Sequence, residues 1–129
     1  MENKKNILIV DDEKDILEIL SYNLIKENYN VITSTNGADA LLKVNKELDL
    51  IILDVMMPKM NGFEFLEAYR KDFENQAPVV VITGADLDEE DKKFLSSETS
   101  RVLEKSSMSD TGIADHLVKT IESVAGVAK

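Results

Sequence analysis

The stretch Leu50-Ile51-Ile52-Leu53-Asp54-Val55-Met56-Met57-Pro58 constrains this chain more than any other. Four apolar residues in a row read as a strand buried on both faces, the mark of a parallel sheet covered by helices. The run then delivers a carboxylate, Asp54, at its carboxyl end, and Pro58 and Asn61-Gly62 turn the chain into a loop. A lone ionised Asp inside such a strand would be costly, because an unpaired buried charge loses its hydration or shifts its pKa. Asp54 therefore belongs at a strand end, opening onto a cleft, with partners supplied from elsewhere in the chain.

The same kind of run recurs at Ile7–Val10 and at Val79–Ile82. Shorter strands are expected at Val31–Thr35 and Arg101–Glu104. Helical spacing fills the intervals. Leu17, Leu20 and Leu24, with Ile16 and Ile25 beside them, mark a first helix, for which Asp12 is a plausible N-cap. Ala38, Leu41 and Leu42 mark the inner face of a second, after the Asn36-Gly37 turn. Phe63, Leu66, Tyr69 and Phe73 do so for a third, running from Gly62 to Asp72. A fourth, within Asp86 to Ser100, is acidic, has only Leu87, Phe94 and Leu95 as anchors, and is expected to dock weakly. Ile113, Leu117, Ile121 and Val124 share one face of a fifth. Five strands alternating with helices, without a hairpin signal or a repeat, predict one α/β domain over residues 1–129. Its expected architecture is a doubly wound, open five-stranded parallel sheet with helices on both faces.

The chain of 129 residues is long enough for one core and too short for two. Its formal net charge of −10 disfavours nucleic acid and anionic membranes as direct partners. The absence of Cys removes disulfides, thiol chemistry and Cys-based zinc sites, and the lone His116 removes multi-His metal sites. No apolar run approaches the ~18–20 residues of a membrane span, and the Ile7–Val10 run is too short for a signal peptide, so a cytoplasmic location is expected.

In a parallel sheet all strands end at one edge. The residues just past strands one, three, four and five are Asp11-Asp12, Asp54, Thr83 and Lys105. Open sheets of this kind bind ligands beyond the carboxyl ends, where the strand order reverses, and the order 2-1-3-4-5 would set Asp11-Asp12 against Asp54. Adjacent ionised carboxylates require a cation, and a small set of oxygen ligands suits Mg²⁺. The hydroxyl of Thr83 and the ammonium of Lys105 suit a phosphoryl group, and a carboxylate can be the nucleophile that receives it. Taken singly, Asp12 could be a helix cap, Thr83 a strand terminator and Lys105 a solvated lysine. Their joint placement at successive strand ends is what favours a phosphoryl site.

These residues resemble the receiver domains of two-component response regulators. The resemblance rests on Val10-Asp11-Asp12-Glu13, on Leu53-Asp54-Val55-Met56-Met57-Pro58-Lys59-Met60-Asn61-Gly62, on Ile82-Thr83-Gly84 and on Leu103-Glu104-Lys105, and it covers nearly the whole chain. It implies a flavodoxin-like fold in which the order 2-1-3-4-5 is the family's own, the chemotaxis receiver being an example already attached to the general rule. It implies that Asp54 accepts a phosphoryl group from a phosphohistidine on a sensor histidine kinase or phosphotransfer protein. Asp12 would bind Mg²⁺ directly, Asp11 largely through water, and the Met56 carbonyl would complete the protein ligands. Thr83 and Lys105 would hold the phosphoryl oxygens, and Gly84 would leave the site open. Such a domain switches the binding of a downstream protein and catalyses only its own phosphorylation and dephosphorylation.

Three departures from the family pattern stand out. Val102 occupies a position usually aromatic, Ser106 replaces a usual Pro after the lysine, and Ser96-Ser97-Glu98-Thr99-Ser100 replaces a short Gly-containing turn. A stiff Val cannot sweep the area of a ring, so a switching signal is expected to run through Thr83 and residues 84–88 instead. An alternative is a degenerate receiver that docks proteins without phosphorylation, which the complete acidic edge argues against. An Asp-nucleophile phosphatase would carry its D-x-D after the first strand, whereas here the pair is adjacent. A flavin protein would not place Asp11-Asp12-Glu13 in its phosphate loop.

Overall fold

The computed structural model describes residues 5–44, 47–54, 61–72, 77–83, 88–99, 101–104, 119–121 and 123. The elements in chain order are β1 (Asn6–Val10), α1 (Lys14–Lys26), β2 (Asn30–Ser34), α2 (Gly37–Lys43) and β3 (Leu50–Leu53). They continue with α3 (Gly62–Asp72), β4 (Val79–Thr83), α4 (Glu89–Glu98) and β5 (Arg101–Glu104). Lys119, Thr120, Ile121 and Ser123 are also helical. Of the expected fifth-helix face, Ile113, Leu117 and Val124 lie outside the described residues, as do His116, Phe73 and Leu87.

The five strands form one sheet in the order β2-β1-β3-β4-β5, and every neighbouring pair is parallel. Alternation along the strands sorts the core into two layers. Leu8, Val10, Ile51, Leu53, Val79 and Val81 face Ala40, Phe65, Leu66, Tyr69 and Leu95, from α2, α3 and α4. Ile7, Ile9, Leu50, Ile52, Val80 and Ile82 face Leu17, Leu20 and Leu24 of α1, and Ile121. Both faces of the central strands are therefore fully covered. This is why the runs Ile7–Val10, Leu50–Leu53 and Val79–Ile82 can be apolar at every position.

Three helix starts share one local device. The side chains of Asn36, Asn61 and Asp88 accept the backbone N–H groups of Asp39, Glu64 and Asp91, at 2.8, 3.0 and 2.8 Å. Each is three residues on, so one orphan donor of the first turn is satisfied. At Asn61 the bond is reciprocated, since its own N–H donates to Glu64 Oε1 at 3.0 Å, making a capping box. The first helix differs. Its N-cap is Glu13, which makes no side-chain cap bond, so Asp12 is not the cap that sequence spacing suggested. At its far end Asn28 adopts φ 76°, a left-handed turn that Asn tolerates, and Tyr29 is thereby carried into the core.

Three further expectations are corrected. The buried side of α2 is Gly37 and Ala40, with Leu41 and Val44 partly buried, while Leu42 is 85% exposed and Ala38 faces solvent. Ile25 on α1 is likewise 59% exposed. On α3, Phe65 is fully buried and stacks on Tyr69 at 5.7 Å between ring centroids. Phe63, expected among the buried residues of this helix, only partly enters the core.

Candidate functional site: an acidic cluster at the strand ends

The register brings the carboxylates together. β1 and β3 pair in step from Ile7 with Leu50 to Val10 with Leu53. The next residues along are Asp11 and Asp54, and the ladder extends to them, because the Asp54 N–H donates to the Val10 carbonyl at 2.9 Å. On the other side of β1 the Asp11 N–H donates to the Ser34 carbonyl at 3.0 Å. Each backbone is thus fixed by hydrogen bonds from a neighbouring strand.

The side chains converge at the same point. One carboxylate oxygen from each of Asp11, Asp12 and Asp54 lies within 4.8 Å of the others. Asp11 is completely buried, Asp54 is buried, and Asp12 is exposed. Asp11 Oδ1 also accepts the N–H of Glu13 at 2.9 Å, which turns the chain sharply into α1. That turn directs Asp12 to the cluster instead of to the helix start. Two unit charges at this separation repel by about 3–4 kcal/mol at an effective dielectric near 20. Bringing three such groups together therefore favours a bound cation.

The donor set passes the test for a hard divalent ion. Among the described residues it consists of carboxylate oxygens alone, with neither nitrogen nor sulfur, and Asp12 on its exposed side suits an ion that also takes water or a ligand oxygen. Three protein carboxylates are too few for a closed Ca²⁺ cage. They suit an ion that retains part of its hydration.

Of the other expected site residues, Thr83 is the last residue of β4, its backbone paired with that of Glu104 on β5. That places it at the same edge of the sheet as the cluster. Lys105 follows directly on β5 but lies outside the described residues, as do Met56, Gly84 and Ser106. Val102 is partly buried and packs on the core layer beneath α3 and α4.

A set of supporting residues escaped the sequence reading. Ser34 closes β2 with only 2% of its surface exposed, and its hydroxyl donates to Asp39 Oδ2 at 2.7 Å. Lys43 sits 3.0 Å from the same oxygen. The Ser34 hydroxyl and then the Lys43 ammonium hold the Asp39 carboxyl below the usual carboxylate range. The one available signal was Asp39 and Lys43 at i and i+4 on a short helix, a pattern that surface helices also show.

The sheet is five-stranded and wholly parallel with an acidic cluster at its switch point, and sequence comparison gives the family. The chain belongs to the response regulator receiver domain family, whose pattern it matches over residues 7–117. It is 43% identical over 95 residues to the alkaline phosphatase synthesis transcriptional regulatory protein PhoP of Bacillus subtilis, which covers 73% of this chain and 38% of that protein. The chain spans little more than a third of the length of the curated relatives it matches. Among solved structures it resembles the chemotaxis protein CheY4 of Vibrio cholerae, with a TM-score of 0.81 and 31% identity over 95% of this chain and 99% of that one. It also resembles the response regulator TrrA of Thermotoga maritima, solved in complex with Mg²⁺ and BeF, with a TM-score of 0.74 and 31% identity over 93% and 98% of the two chains. Both the expected family and the expected flavodoxin-like strand order are thus borne out. No helix among the described residues is long and apolar enough to cross a membrane.

Proposed function

We propose that this receiver is a phosphorylation switch in which Asp54 takes a phosphoryl group from a phosphohistidine of a sensor histidine kinase or phosphotransfer protein. The observation that carries this reading is the convergence of Asp54, at the end of a fully buried strand, with the Asp11-Asp12 pair. An Asp54 carboxylate oxygen attacks phosphorus and the P–N bond to the donor imidazole breaks; the electron pair stays on the ring, which carries a proton on its other nitrogen and so leaves as neutral imidazole. Hydrolysis reverses the state: water attacks the aspartyl phosphate and inorganic phosphate leaves. Asp11, Asp12, Asp54 and the carbonyl of Met56 would hold Mg²⁺, which when bound offsets the negative charge on the phosphoryl oxygens. Thr83 and Lys105 would bind those oxygens from the β4 and β5 side. The chain acts on itself and its donor, and turns over no separate substrate.

The chain is one domain over residues 1–129 in this reading, and it works in the cytoplasm. Its output is altered binding of a downstream protein. Relatives named as transcriptional regulators suggest that gene control is one such output. With a net charge of −10, the receiver itself is poorly suited to bind a phosphate backbone, so any nucleic-acid contact would belong to other protein segments. The test is direct. The protein is incubated with a small acyl phosphate and Mg²⁺, and its intact mass is read. One phosphoryl adduct is expected in the wild type and none in Asp54→Ala; an adduct of equal yield in Asp54→Ala overturns the assignment. Asp12→Ala should lower both Mg²⁺ affinity and adduct yield.

A further inference from the structure

The carboxylates are only as well placed as the backbone beneath them. β2 is an edge strand, paired on one side to β1, and Ser34 is its last residue. Strand ends at a sheet edge are where local opening is cheapest. Yet the Asp11 N–H relies on this end, through its 3.0 Å bond to the Ser34 carbonyl. If the end of β2 opened, the segment carrying Asp11 and Asp12 would lose its tether on that side.

The structure supplies a countermeasure. The Ser34 hydroxyl lies 2.7 Å from Asp39 Oδ2 and 2.9 Å from the Asn36 carbonyl, so one proton is offered to a carboxylate and a carbonyl together. Asp39 is held in turn by its own N–H, bonded to Asn36 Oδ1 at 2.8 Å. Lys43, one turn on, approaches Asp39 Oδ2 at 3.0 Å and donates to the Thr33 carbonyl at 2.7 Å. α2 therefore grips the last two residues of β2 from both of its ends. The buried location of Ser34 would suit an apolar residue equally well, so burial alone does not account for a hydroxyl there. Charge is balanced too: Lys43 offsets Asp39, and the grip adds no net negative charge beside an already acidic cluster.

We infer that Ser34 is a positioning residue for the Asp11-Asp12 pair, and that Ser34, Asp39 and Lys43 act as one clamp setting the divalent-ion affinity of the site. The inference rests on the metal-binding reading above. A clamp that only capped α2 would affect stability and leave the ion untouched. One that positions Asp11 must affect the ion as well.

Mg²⁺ affinity is measured by calorimetric titration of the whole chain at fixed ionic strength, with folding checked by circular dichroism. Ser34→Ala should bind Mg²⁺ about 3- to 10-fold more weakly, toward the low end of the effect of residues that orient metal ligands indirectly. Ser34→Thr, which keeps the hydroxyl, should recover most of the loss. Lys43→Gln is the variant that leaves the buried serine in place. Removing a positive charge should by simple electrostatics raise Mg²⁺ affinity, whereas a loosened clamp should lower it, by about 2-fold for a pair this exposed. Wild-type affinity in folded Ser34→Ala, or tighter binding in Lys43→Gln, overturns the inference while leaving the phosphorylation reading intact. Absence of Mg²⁺ binding in the wild type overturns both.

Discussion

The third and fourth helices cover the same face of the sheet and are held there very differently. α3 buries Phe65, Leu66 and Tyr69, begins in a reciprocated capping box, and is tied to the start of β4 by the Ala77 N–H, which donates to the Tyr69 hydroxyl at 2.6 Å. α4 completely buries Leu95 alone among its described side chains. Phe94 remains 42% exposed and meets Phe63 at 6.0 Å between tilted rings. A groove of about 530 Å³, lined in part by Phe63, Leu66, Arg70 and Phe94, separates the two helices. Burial of apolar area dominates docking energy, and among the described residues α3 contributes three fully buried large side chains to α4's one. In the chain α4 follows β4, whose last residue is Thr83.

The contrast is sharpened most by truncating the two anchors. Phe65→Ala should lower global unfolding free energy by about 3–5 kcal/mol, read by urea denaturation, as for a well-packed core aromatic. Leu95→Ala removes a side chain worth a similar cavity penalty, about 2–5 kcal/mol. Because Leu95 is the one fully buried side chain among the described residues of α4, that loss should appear chiefly as local opening: amide exchange across residues 89–98 should accelerate while the global transition moves much less. Equal global losses from the two variants would show that α4 is as firmly built into the fold as α3.

Tyr69→Phe tests the tether. Burial raises the Tyr69 hydroxyl pKa, so it stays protonated through the neutral range and accepts the Ala77 N–H as a neutral group. Losing that oxygen leaves a buried donor without its acceptor, at a cost of about 1–3 kcal/mol in global stability. A neutral effect would mean that water replaces the hydroxyl and that α3 depends on packing alone.

The smallest effect concerns the α4 cap. Asp88→Ala removes the bond to the Asp91 N–H and one negative charge from the positive end of the helix, together about 0.5–2 kcal/mol of local helix stability. It should speed amide exchange in residues 89–92 and leave the urea midpoint nearly unchanged. A clear fall in the midpoint would count against an independently opening α4.

The strands and the placement of Asp11, Asp12, Asp54 and Thr83 at their ends are legible in the residues, while the order 2-1-3-4-5 is the receiver family's order as much as a reading of them. The reason is that doubly buried parallel strands are continuous apolar runs whose ends are marked by the first polar residue, and that chirality leaves few ways to connect them. Helix phase was harder to read. α2 has seven residues, barely two turns, and the sequence spacing put Ala38, Leu41 and Leu42 on its inner face. The tertiary structure chose the small side chains Gly37 and Ala40 for the inner face and left Leu42 in solvent. It also decided which of two adjacent aspartates is buried. Asp11 continues the β1 ladder between Ser34 and Val10-Asp54, whereas Asp12 begins the turn and leads outward. The Ser34–Asp39–Lys43 clamp belongs to the same category. Its members are ordinary residues of a strand end and a short helix, and only the docking of that helix against that strand gives their polar atoms a common meeting point.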